Sequence, residues 1–138
     1  MYQIILPSPS GASEGPKIYV AQNNNIHWLD FDTYTLIPDL NVTYETNAGD
    51  SVLIEYNCLL YLDPIGTSLI NIYFELDEGY ASTFIALEFN DYMKIPALMK
   101  HYIQNSTAGE HMVQILTYIN EEYTNSYVDN SFLTVTVF

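Results

Sequence analysis

Arginine is absent from this chain, and only three lysines, Lys17, Lys94 and Lys100, stand against 17 Asp and Glu residues, giving a formal charge of −14 at pH 7. Phosphate backbones are held by clusters of Lys and Arg, so this balance excludes nucleic acid as a partner. Cysteine is nearly absent too. Cys58 stands alone in the apolar run Val52 to Leu62, which rules out an internal disulfide and a Cys-based metal cluster and suits a small buried hydrophobe. No apolar run approaches the roughly 18 residues of a membrane helix, so no membrane insertion is expected. The opening Met1-Tyr-Gln-Ile-Ile-Leu6 lacks the basic stretch and the apolar length of a signal peptide. None of the six glycines sits in a GxGxxG or GxxxxGK spacing, so nucleotide chemistry has no support.

What is present is hydrophobic and aromatic. The 138 residues are 49% hydrophobic and include 13 tyrosines, enough for one ordered domain with a sizeable core. The carboxylates repel one another at neutral pH, and most of that repulsion vanishes below about pH 4. The composition is therefore compatible with an acidic medium.

Residues 7–16, PSPSGASEGP, hold too many prolines, glycines and serines to pack, which predicts an N-terminal arm or linker over 1–17 and a compact domain over 18–138. Beyond that point, β-branched and aromatic runs alternate with turn chemistry at Asn23-Asn-Asn25, Asn47-Ala-Gly-Asp50, Asp63-Pro-Ile-Gly66, Asp77-Glu-Gly79, Thr107-Ala-Gly109 and 120–126. Strands are predicted near 18–21, 26–31, 40–46, 51–62, 69–76, 81–89, 110–119 and 131–138. Leu40, Val42 and Tyr44 alternate with Asn41, Thr43 and Glu45, the period of a sheet with one buried face. Val52-Leu-Ile54 and Leu59-Leu-Tyr-Leu62 are apolar on both faces, the mark of a central strand or an interface. Ile95-Pro-Ala-Leu-Met-Lys-His-Tyr-Ile103 breaks the pattern with good helix formers after a proline suited to a first turn, so a short helix is predicted there. Eight strands and one brief helix describe an all-β sandwich, most economically a single jelly roll.

Reactive chemistry leaves little trace. His27, His101 and His111 show no HxH or HExxH spacing, and no GxSxG elbow occurs, so no catalytic residue, metal or cofactor is expected. Asp30 and Asp32 would share one side of a strand, and Glu121 and Glu122 precede Asp129 across a loop; either set could offer oxygen ligands to a hard cation at neutral pH, or simply be solvated. Asn41-Val-Thr43 and Asn105-Ser-Thr107 have the form of glycosylation acceptors. The remaining candidates are aromatic. Tyr118, Tyr123 and Tyr127, with Trp28, could present apolar faces with polar tips to a protein or a sugar ring.

Four segments, Asn47-Ala-Gly-Asp-Ser-Val-Leu-Ile54, Ile72-Tyr-Phe-Glu-Leu-Asp-Glu-Gly79, Ala108-Gly-Glu-His-Met-Val-Gln-Ile115 and Phe132-Leu-Thr-Val-Thr-Val137, resemble in their order the single jelly rolls of viral vertex, spike and head-fibre proteins, similar in fold to the tumour necrosis factor type. The Tyr- and Asn-rich, acidic composition is similar to that of turret proteins of viruses infecting thermoacidophilic archaea. This resemblance implies a non-enzymatic subunit on the capsid surface, forming a cyclic homo-oligomer, contacting capsid proteins and facing a host surface protein or glycan. The alternative is a carbohydrate-binding or adhesion module of a cell-surface protein, which needs exposed, roughly coplanar aromatic rings.

Overall fold

A computed structural model describes residues 2–6, 15–63, 67–77, 79–120 and 125–138. Ten strands follow in chain order: β1 (Tyr2–Leu6), β2 (Lys17–Asn23), β3 (His27–Trp28), β4 (Thr35–Thr46), β5 (Val52–Leu62), β6 (Ser68–Leu76), β7 (Gly79–Phe89), β8 (Met93–Ile103), β9 (Gly109–Ile119) and β10 (Tyr127–Val137). They form two antiparallel sheets. The first runs β1-β2-β10-β5-β8, with β3 pairing β10, and the second runs β4-β9-β6-β7.

The pairing is nested: β2 with β10, β4 with β9, β5 with β8 and β6 with β7. A long hairpin whose arms are rolled together gives this order, and it is the topology of a single jelly roll. Residues with a strict period of two make it stable. Along β5, Val52, Ile54, Tyr56, Cys58, Leu60 and Leu62 are buried while the residues between them are not. They meet Ile70, Ile72 and Phe74 of β6, Val113 and Ile115 of β9 and Leu133 and Val135 of β10 in one core. Burying each large side chain of this kind contributes roughly 1.5–3 kcal/mol. Two polar groups lie inside this core as a satisfied pair, the Tyr56 hydroxyl 2.9 Å from Ser131 Oγ. Cys58 is buried, and burial pushes its thiol up to about 11, so it stays protonated and packs as a hydrophobe.

The helix expected over 95–103 is a strand. All of Met93–Ile103 pairs with β5, from Leu62 opposite Met93 to Val52 opposite Ile103. Ile95, Ala97, Met99 and Ile103 turn inward, and Lys94, Pro96, Leu98, Lys100 and Tyr102 turn outward. The alternation is hard to see because both sides carry apolar residues, and Pro96 suits an edge strand as well as it suits the first turn of a helix. Because β8 closes one edge of the first sheet, Lys94, Pro96 and Lys100 also guard it against strand addition. The strand expected near 26–31 shortens to His27–Trp28. Beyond the sequence reading, Tyr2–Leu6 pairs antiparallel with β2; most of segment 7–16 lies outside the described residues.

Three strand pairs change register, β6 with β7 between Tyr73 and Glu75 and two others at left-handed residues. Register shifts between Leu36 and Asn41 in β4 and between Asp129 and Phe132 in β10, where Asp39 and Asn130 adopt the left-handed backbone at φ 59° and 49°. Short polar side chains tolerate this region best. Between β4 and β5 a tight turn needs Gly49 at φ 89° and is closed by Asp50, whose carboxylate accepts from the Asn47 amide at 2.7 Å.

Candidate interaction surfaces

Because side chains alternate across a pleated sheet, every buried strand residue leaves its neighbours on the outside. On the first sheet these outer positions build a row of rings across four elements. Tyr127 lies opposite both Trp28 and Tyr61 in register. Its ring stacks on Tyr61 with centroids 4.5 Å apart and planes 8° from parallel. Trp28 meets Tyr127 edge-on at 5.0 Å, and Tyr92, just before β8, meets Tyr61 edge-on at 5.0 Å. The Tyr61 hydroxyl is pushed up to about 12, first by its hydrogen bond with Tyr92. Trp28 and Tyr92, at the ends of the row, are 55% and 54% exposed. The stacked faces of Tyr61 and Tyr127 cover each other, so the row offers ring edges and hydroxyls rather than a flat platform.

A second row crosses the outside of the other sheet. Tyr118 of β9 stacks on Tyr34 at 4.8 Å, Tyr34 lies 6.0 Å from Tyr73 of β6, and Tyr73 lies 5.2 Å from Phe84 of β7. The Tyr118 hydroxyl donates to Asp32 Oδ1 at 2.8 Å, which is the first cause of its raised pKa. Of the aromatic residues singled out from the sequence, Trp28 and Tyr127 are thus brought together, and Tyr118 is held on the opposite face. Tyr123 lies outside the described residues, as do Glu121 and Glu122. Tyr61, Tyr92, Tyr34, Tyr73 and Phe84 were missed. Tyr61 was detectable in the sequence, since it alternates with the inward Leu60 and Leu62.

The ionisable candidates have separate partners. His27 is buried, with Nε2 3.1 Å from Thr117 Oγ1. The Thr117 hydroxyl donates to the Thr35 carbonyl and therefore accepts from His27 Nε2–H, a neutral ring whose pKa is lowered by burial. His101 sits beside Phe74 on β8, again lowered by burial. His111 differs. Its Nδ1 lies 2.7 Å from Asp77 Oδ2 and its Nε2 3.0 Å from the Thr107 carbonyl, so both nitrogens face acceptors, an arrangement that favours the protonated ring and raises its pKa, first through Asp77. When protonated, a ring with both nitrogens so engaged has no lone pair for a metal or for proton abstraction. It ties β9 to the β6–β7 turn, reinforced by the Met112 amide donating to Asp77 Oδ1 at 2.8 Å. The adjoining pocket, about 260 Å³, is lined by Tyr44, Leu76, Asp77, Ile103, Thr107 and His111; burial pushes Tyr44 up to about 12.

Asp30 and Asp32 do not share a strand face. Both follow β3, Asp30 accepting from the Thr35 hydroxyl at 3.2 Å and Asp32 from Tyr118. Among the described residues no three of His, Cys, Asp and Glu come together in a way that could hold a metal ion, and no helix is long and apolar enough to cross a membrane. Asn105 is exposed in a loop and Asn41 half-buried on β4, so the two acceptor triplets differ in accessibility.

Comparison with protein families and with curated proteins finds no match. Among solved structures, the chain is similar to one from the T13 particle of IBDV, with 12% identity, a TM-score of 0.56 and coverage of 94% of this chain and 35% of that one. A second similar structure comes from the Gx strain of infectious bursal disease virus, at 16% identity and TM-score 0.48, covering 90% of this chain and 33% of that one. The CBM36-1 domain of a multidomain xylanase from the hindgut metagenome of Trinervitermes trinervoides matches at 8% identity and TM-score 0.36, over 86% of this chain and 95% of that domain. The chain spans about a third of the length of the viral chains it matches. At these identities the likeness is one of fold, and the viral particle chain carries it.

Proposed function

We propose that this jelly roll is a non-enzymatic structural subunit of a virion, placed on the capsid surface at a vertex as a turret or spike. In this reading it assembles with copies of itself into a ring, contacts capsid proteins below, and presents its free surface to a host surface protein or glycan. The observation that carries the reading is the nested strand pairing over both complete sheets, a fold shared with a viral particle chain. Two further features support it. Rings and aliphatic side chains stay exposed on the outside of the sandwich, including Trp28, Tyr34, Phe84, Tyr92, Leu98 and Tyr102, as expected of a chain that buries more surface on assembly. His111 and Asp77, which line one of the pockets, spend their polar atoms on holding strands together. The acidic composition supports a virus of an acidic habitat, such as that of thermoacidophilic archaea.

Glycan binding by stacking is the second reading, and the row Trp28–Tyr127–Tyr61–Tyr92 is its best candidate. The 8° stack of Tyr61 on Tyr127 works against it, because a sugar ring needs an uncovered aromatic face. Native mass spectrometry tests the assembly reading: a closed oligomer of one defined size is the expected result, and a strict monomer at all concentrations contradicts it.

A further inference from the structure

The two outer faces of the sandwich differ in charge in a way that points to each other. All three lysines lie in strands of the first sheet, and two of them, Lys94 and Lys100, point outward from β8. The outward acids on the same strands are Glu55 and Asp129, so this face is formally neutral. Between the charges lie the apolar Leu53, Leu59, Pro96, Leu98, Tyr102 and Phe132, together with the uncharged Asn57, Thr134 and Thr136. The second sheet has no lysine. It turns Glu45 and Glu110, Glu75 and Glu88 outward on β4, β9, β6 and β7 in that order. Glu45 and Glu110 are direct cross-strand partners, and like charges so placed repel.

Few of these charges have a counter-ion among the described residues. Among the described residues the ion pairs are Lys100 with Glu55 at 3.3 Å and His111 with Asp77. Lys94 and the glutamates of the second face therefore lack ionic partners among the described residues. In a chain of charge −14, two second faces could not meet without stacking carboxylates on carboxylates. Edge-to-edge growth is blocked at β8 by Lys94, Pro96 and Lys100.

We infer that the outer face of the β2-β10-β5-β8 sheet docks on the outer face of the β4-β9-β6-β7 sheet of a second copy. The contact is head-to-tail, and it places Lys94 and Lys100 against the glutamate row. It rests on the assembly reading above and names the surfaces that carry it. Strands β10, β5 and β8 of 11 residues each and β2 of 7, spaced about 4.8 Å apart, present about 630 Å², within the roughly 600–1,000 Å² per partner of a specific interface. Both faces also carry their ring rows toward the end of the sandwich where β9 passes to β10. Heterologous contacts of this kind close into rings when the rotation between copies allows.

Two variants test it, each changing only exposed residues: Lys94→Glu with Leu98→Glu on the first face, and Glu88→Lys with Glu110→Lys on the second. Sedimentation velocity at pH 7 and moderate salt should find the wild type assembled and each variant alone at least about 100-fold weaker in association. A one-to-one mixture should form dimers, because each variant keeps one intact face and the two intact faces are complementary. The dimer also proves that both variants are folded. Should Leu98→Glu unfold β8, Lys94→Glu with Leu98→Ala replaces it. If the second-face variant assembles like the wild type, or the mixture of two folded variants stays monomeric, the head-to-tail contact is wrong while ring assembly stands. A monomeric wild type overturns both.

Discussion

The two outer faces of this sandwich rest on one core and yet differ in chemistry, the first formally neutral and the second acidic. The face of the first sheet carries lysines, aliphatic side chains and a stacked ring row, and the face of the second carries glutamates, amides and a ring row tied to Asp32. Alternation dictates what points inward on both, and the core tolerates little variation. The outward positions are free of that constraint. Leu98, 57% exposed, lies between Lys94 and Lys100 on the same strand.

The largest contrast is between the inside and the outside of one sheet. Phe74→Ala, at a fully buried site, should cost about 3–5 kcal/mol in urea unfolding, whereas Phe84→Ala on the outer face of the same sheet should cost within about 1 kcal/mol. Equal costs would mean that the second face is covered within the monomer. The ring rows come next: Tyr61→Ala removes one stacked and one edge-on contact and should destabilise the monomer by about 1–2 kcal/mol, and Tyr118→Ala, which also orphans an exposed carboxylate, by a similar amount.

Titration separates the histidines. The folded pKa of His111 is raised above 6.5, so its contribution is fully present below about pH 6.5 and is lost as pH rises through the folded value. His27 and His101 are lowered, so their contribution is full above 6.5 and is lost as pH falls through their folded values. The stability gap between wild type and His111→Gln should therefore be wider at pH 5.5 than at pH 8.5; a gap that widens with rising pH would contradict the His111–Asp77 clamp. For the whole chain, relief of carboxylate repulsion is expected to outweigh His27 and His101, leaving a thermal midpoint at pH 4 no lower than at pH 7 by scanning calorimetry. The smallest effects distinguish the charges on the two faces. Glu110→Lys should stabilise the monomer by about 0.2–1 kcal/mol by turning a repulsive cross-strand pair into an attractive one, and Lys100→Ala should cost no more than about 0.5 kcal/mol, because its bridge to Glu55 is exposed.

Most of the fold was legible because burial imposes a period of two wherever one face is wet. The runs Leu40-Val42-Tyr44 and Leu133-Val135-Val137 show it plainly. Where both sides are apolar the signal fails, and β8 was read as a helix for that reason: Ile95, Ala97 and Met99 point in while Pro96 and Leu98 point out. The candidate surface was only half legible. Trp28 and Tyr127 were found through their residue type, but the row they belong to depends on cross-strand register, which brings Tyr61 beside Tyr127 from 66 positions away along the chain. The same register separates Tyr118 from them, although the sequence places it only nine residues before Tyr127.

Hydroxyl-radical footprinting across a dilution series tests most directly whether this protein works by joining its two outer faces. Assembly should protect Leu98, Tyr102, Trp28 and Tyr92 on the first face together with Tyr34 and Phe84 on the second, all to the same degree and with the same concentration dependence, while Cys58 stays unreactive throughout. Protection of one face alone, or of the loops and neither face, would contradict it.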